Sequence, residues 1–129
     1  MRYLLPLVLL VGCSSKPVAI DGVTLCELSR NDFPTAKTYV GKRMSFAGQL
    51  TNIEFDITNN SYKAKVVMPS SFVNSVEKFN VVTVIFPPKD KRNFEAAKTS
   101  PTRIEGTGTI ERMSEDEKHI YIVVSADPS

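Results

Sequence analysis

Residues 43–55, RMSFAGQLTNIEF, alternate apolar and polar side chains at a period of two over an unusually long stretch. Met44, Phe46 and Leu50 share one face, with Gly48 between them. The phase then slips, so that Ile53 and Phe55 take over the apolar side. A helix repeats every 3.6 residues and has no use for this pattern. A long strand with a central glycine and a phase slip marks a bulge or a sharp bend. Barrels use such a strand to turn a corner and serve both sheets.

The rest of the chain supplies partners for it. Tyr62–Met68 reads as a second strand, with Tyr62, Ala64, Val66 and Met68 on one face and Lys63 and Lys65 on the other. Val81–Phe86 is a third, halted by Pro87-Pro88. Thr102–Glu111 is a fourth, with Ile104, Gly106, Gly108 and Ile110 inward, and His119–Val124 is a fifth. Thr58–Ser61 and Ser114–Lys118 carry turn chemistry. Leu25 and Leu28, with Asp21 as cap, predict a short helix from Val23 to about Arg30, and Thr35–Tyr39 predicts another helical turn. Phe72, Val73, Val76 and Phe79 fall at helical spacing after Pro69, which predicts a helix sealing the core. Residues 89–100 read as a charged connector with a turn of helix at Arg92–Lys98. Five apolar strands leave exposed edges unless the sheet closes. The expected class is mainly β: a small five-stranded OB-fold-like barrel with one or two short helices.

The N-terminus is of another kind. Tyr3–Val11 is uncharged, interrupted only by Pro6 and preceded by Arg2. It is about half the ~20 residues that a membrane-spanning helix needs, and it fits a signal peptide. Leu10-Val11-Gly12-Cys13 resembles the lipobox of bacterial lipoproteins. That resemblance implies lipid on the Cys13 thiol and cleavage just before it. The chain then divides into a signal peptide (1–12), a lipidated N-terminus and linker (13–21) and the barrel domain (22–129). Ser14 after the cysteine resembles the pattern for outer-membrane delivery, with the domain facing the periplasm. Cys26 would be left alone, as a buried core thiol or paired with another chain. Loss of Arg2 brings the formal charge from +2 to +1. So neutral a domain argues against nucleic acid as a partner.

TYVGKRMSFAGQLTNI (38–53), YKAKVVM (62–68), VVTVIF (81–86) and TRIEGTGTIERM (102–113) together resemble the bacterial OB-fold family called tRNA_anti-like. Tyr39, Gly41, Lys42, Met44, Phe46, Gly48 and Leu50 occupy the positions of its opening pattern, and Gly108-Thr109-Ile110 those of its late strand. The resemblance covers roughly residues 30–125. It implies an OB fold and an exported habitat, and it implies no tRNA binding by an exported copy.

Catalytic chemistry is thin. His119 is the one histidine, beside the acidic turn of Glu115, Asp116 and Glu117. No Cys or His pair has zinc spacing, and no P-loop, nucleophile elbow or dinucleotide fingerprint occurs. No catalytic residue, metal or cofactor is expected. OB domains bind through the face of their second and third strands and the adjoining loops. Lys63, Lys65, Lys89, Lys91 and Arg92 are the candidate ligand contacts there. Tyr62, Phe86 and Phe46 fall on core registers. The expected function is a lipid-anchored envelope module, held to the membrane through Cys13 and docking on a partner protein. One alternative is an oligosaccharide- or nucleic-acid-binding domain, which needs exposed aromatics beside Lys63 and Lys65. Another is a phage- or plasmid-encoded lipoprotein that blocks an outer-membrane receptor. An enzyme would need His119 near a carboxylate in a pocket.

Overall fold

A computed structural model describes residues 18–87, 94–95, 99, 101–117 and 119–127. Ile20–Asp21 forms a two-residue strand, β1, parallel to Met44–Ser45. These two residues lie in the stretch read as linker. The Asp21 carboxylate accepts from the Thr24 N–H at 3.2 Å and so caps α1, Gly22–Asn31. Asp32 caps the short α2, Phe33–Lys37, in the same way.

Five long strands follow: β2 (Arg43–Asp56), β3 (Ser61–Val73), β4 (Val76–Phe86), β5 (Arg103–Glu115) and β6 (Ile120–Ala126). The sheet order is β1-β2-β3-β4-β6-β5, and β5 pairs back onto β2. All the barrel pairings are antiparallel except β4 with β6. The result is a closed five-stranded OB-fold-like barrel with two short helices. The corner sits where the sequence predicts it. Within one short stretch of β2, Gly48 pairs with Ile104 of β5 and Gln49 with Val67 of β3. A methyl group on Gly48 would lie 2.1 Å from the Val67 carbonyl oxygen, so only glycine lets the strands approach this closely. The phase slip is a bulge between Thr51 and Glu54, with Asn52 at φ 52°.

Met44, Phe46, Tyr62, Val66, Val82, Val84, Ile110, Ile122 and Val124 fill the barrel. One end is closed by Phe94, whose ring lies 5.0 Å from Tyr62 and 4.8 Å from Phe86, centroid to centroid. The other end is closed by α1, which buries Leu25, Cys26 and Ser29 against the barrel. Arg43 forks onto the Asp127 carboxylate, and Thr107 Oγ1 donates to the same group at 2.7 Å, clasping β2, β5 and the end of β6.

One expected helix is not there. Phe72, Val73, Val76 and Phe79 belong to the β3–β4 hairpin, where Phe72 pairs with Glu77 and Val73 with Val76. Asn74 and Ser75 take φ of 52° and 67°, the two left-handed residues that a tight hairpin turn needs. Phe72 is 70% exposed and Phe79 67%, so they do not seal the core. Buried Asn80 anchors the hairpin base, its Nδ2 donating to the Pro69 carbonyl at 2.7 Å and to Ser71 Oγ at 2.9 Å. In the expected Arg92–Lys98 turn only Phe94 and Glu95 are described, and both are helical. Cys13 and the whole of the stretch read as signal peptide lie outside the described residues. Among the described residues no helix is long and apolar enough to cross a membrane.

Candidate ligand-binding groove

The loop from β2 to β3 is folded by one carboxylate. Asp56 accepts from the Asn59 side chain at 2.7 Å and from the Asn59 N–H at 3.3 Å. These bonds, the side-chain one first, hold its carboxyl below the usual range. The loop from β5 to β6 is folded by another. Asp116 accepts from the His119 N–H at 2.9 Å and from the Tyr121 hydroxyl at 3.4 Å. His119 Nδ1 lies 3.7 Å from the same carboxylate, in an exposed turn.

A groove of about 570 Å³ runs between these two loops across the outer faces of β3, β4, β6 and β5. The sheet register builds it. Lys65 pairs with Thr83, Thr83 with Val123 and Val123 with Arg112, which sets a cation at each end of one cross-strand row. Lys63, Arg112 and Tyr121 line the groove, with Ile85 and Val123 as apolar floor, Thr83, Ser114, Ser61 and Asn59 as polar partners, and the Asp56 carboxylate at the loop end, tied to Asn59. Tyr121 is 47% exposed. A groove with cations and an exposed aromatic ring can hold a phosphate backbone and stack a base or a sugar.

Lys63 and Lys65 are exposed on the outer face as the strand alternation predicts, and Lys63 lines the groove itself. Lys89, Lys91 and Arg92 lie outside the described residues. Tyr62, Phe46 and Phe86 are buried, as their registers predict. Sequence reasoning missed Arg112 and Tyr121. Tyr121 had a signal, because Ile120, Ile122 and Val124 take the inward positions around it. Arg112 had none, because a bulge between Ile110 and Arg112 resets its face. Cys26 is a buried free thiol, and burial pushes its pKa up to about 11. Among the described residues, no group of three or more His, Cys, Asp or Glu is placed to hold a metal ion.

The fold is that of an OB-like barrel, with a groove across its outer face. No protein-family model matches the chain, so the tRNA_anti-like resemblance stands on the quoted residues alone. No curated protein matches it. Among solved structures the chain is similar to a small single-stranded DNA binding protein from Mycoplasma pneumoniae, at 10% identity and a TM-score of 0.45. The match covers 65% of this chain and 88% of that one. The expectation that set nucleic acid aside as a partner rested on net charge, and the surface corrects it. Net charge sums the whole surface, whereas Lys63, Lys65 and Arg112 gather on one face.

Proposed function

We propose that this domain binds single-stranded nucleic acid along the groove between its β2–β3 and β5–β6 loops. One observation carries the reading. An exposed aromatic ring, Tyr121, lies in the same groove as Lys63 and Arg112. Lys63, Lys65 and Arg112 contact phosphates, Tyr121 stacks on a base, and Ile85 and Val123 exclude water beneath it. The groove binds and performs no chemistry. Stacking tolerates any base, so the reading predicts weak sequence preference.

Fluorescence anisotropy with a labelled dT oligomer tests it. Three phosphate contacts give a slope of about −2 in log affinity against log salt on a single strand. Tyr121→Ala should weaken binding by roughly 5- to 150-fold. A salt-independent complex, displaced by a neutral oligosaccharide, would make the groove a glycan site instead.

The location is proposed on separate grounds. The Leu10–Cys13 pattern supports a lipid tether on Cys13 at the bacterial cell envelope. Intact mass should show a chain beginning at Cys13 with acyl groups, and Cys13→Ser should release it from membranes. A chain that keeps Met1–Gly12 unmodified would end that proposal.

A further inference from the structure

The geometry points to a second site, separate from the groove and independent of its reading: the cavity between α1 and the ends of β4 and β6 binds a small carboxylic acid with an apolar body. The cavity holds about 350 Å³, near the lower end of the ~300–1,000 Å³ of small-molecule sites. Among the described residues its side-chain nitrogen donors are Arg30, Lys78 and His119, and none of its lining is acidic. Arg30 sits in the last turn of α1, and its Nη2 is buried with no hydrogen-bond partner among the described residues. Buried donors are nearly always paired, so this nitrogen marks where an acceptor belongs. The guanidinium fork matches the two oxygens of a carboxylate.

The other wall is apolar. Val81, Ile120 and Ile122 line it, together with Cys26, one helical turn from Arg30. Phe79 also lines the cavity and is largely exposed, so its ring stands at the mouth. The cavity therefore offers an anion contact at one side and aliphatic surface at the other. A nucleic-acid phosphate is flanked by sugars and would leave the apolar wall uncovered. An acid with an aliphatic tail of several carbons satisfies both walls.

The test titrates the full chain with octanoate and follows the imidazole of His119 by proton–carbon NMR. The chain has one histidine, so the signal needs no assignment. Octanoate should shift it saturably, while acetate (head only) and octanol (body only) should not at the same concentration. Arg30→Gln should weaken octanoate by about tenfold or more, the loss expected for a charge-assisted hydrogen bond. Lys78→Gln, at an exposed position, should weaken it less and keep the wild-type melting temperature, which separates lost binding from lost fold. Three results would overturn the proposal: no saturable shift, an equal response to octanol or acetate, or wild-type affinity in both variants. A dT oligomer or inorganic phosphate that moves His119 where octanoate does not would also overturn it, and would join the cavity to the groove. A peptide with an apolar C-terminal residue that binds at least ~10-fold tighter than octanoate would overturn the free-acid assignment in favour of a chain end.

Discussion

Gly48→Ala removes no contact and adds one methyl group, yet it should cost as much as a large core truncation. The added carbon would sit 2.1 Å from the Val67 carbonyl oxygen, 2.7 Å from the Val67 carbonyl carbon and 3.1 Å from the Met68 Cα. All three are backbone atoms, so no rotamer change relieves the clash. Close carbon–oxygen contacts in sheets settle at roughly 3.3–3.6 Å, so β2 and β3 must part by at least ~1 Å. A bond stretched from ~2.9 to ~3.9 Å is no longer a hydrogen bond. The pairs at risk are Gln49 with Val67 and Thr51 with Lys65, since Leu50 donates its N–H to Thr102 on the other side. Two or three lost bonds at ~1 kcal/mol each, with looser packing around Leu50 and Val66, give about 3–4 kcal/mol. Domain stabilities run at ~5–15 kcal/mol, so the barrel survives weakened. At roughly 4 °C per kcal/mol, thermal unfolding followed by far-ultraviolet circular dichroism should fall by about 12–16 °C. Gly41 is the control. It has φ +89° and nothing within 4 Å of an added Cβ, so Gly41→Ala carries backbone strain alone, about 1 kcal/mol. A Gly48→Ala protein melting within ~4 °C of wild type would refute the reasoning, as would Gly41→Ala proving the worse of the two.

Two further predictions concern titrating groups. With its pKa raised from 9.0 to about 11, Cys26 should react with a thiol reagent at pH 8 roughly 100-fold more slowly in the folded chain than in the unfolded one. Equal rates in the presence and absence of denaturant would show that the thiol is not buried. The Asp127 carboxyl is held below its usual range by hydrogen bonds from Arg43 and then Thr107. Its contribution is therefore complete above the unfolded value near ~3.9 and is lost as pH falls through the lowered folded value. Melting temperatures between neutral and strongly acidic pH should fall more steeply for wild type than for Asp127→Asn. Parallel curves would exclude a role for the clasp.

The barrel was legible because its signals are local. Gly48, the slip after Leu50 and the alternation of Tyr62, Ala64, Val66 and Met68 each lie within one strand. Residues 72–79 misled because their apolar spacing satisfies a helix as well as two strand ends. What decides between them is the Asn74-Ser75 turn, a pair of residues that tolerates left-handed backbone without announcing it. The groove was legible only in part. Lys63 follows from alternation, but its meeting with Arg112 and Tyr121 depends on the parallel pairing of β4 with β6, which no local pattern encodes. The buried Arg30 nitrogen was equally out of reach, since its burial depends on how α1 folds onto the barrel.

The closing contact of the barrel joins distant parts of the chain, as Gln49 pairs with Arg103 and Arg43 with Thr109. Such pairings pay the entropy of a long loop before any contact rewards it, which makes folding slow. On a ribosome the β3–β4 hairpin can form early, and it carries Phe72 and Phe79 exposed. Strand β6, which supplies Tyr121, is the last to emerge. A nascent chain thus displays exposed aromatic surface before the groove is complete, so chaperone dependence and translation speed should set its yield more than final stability does.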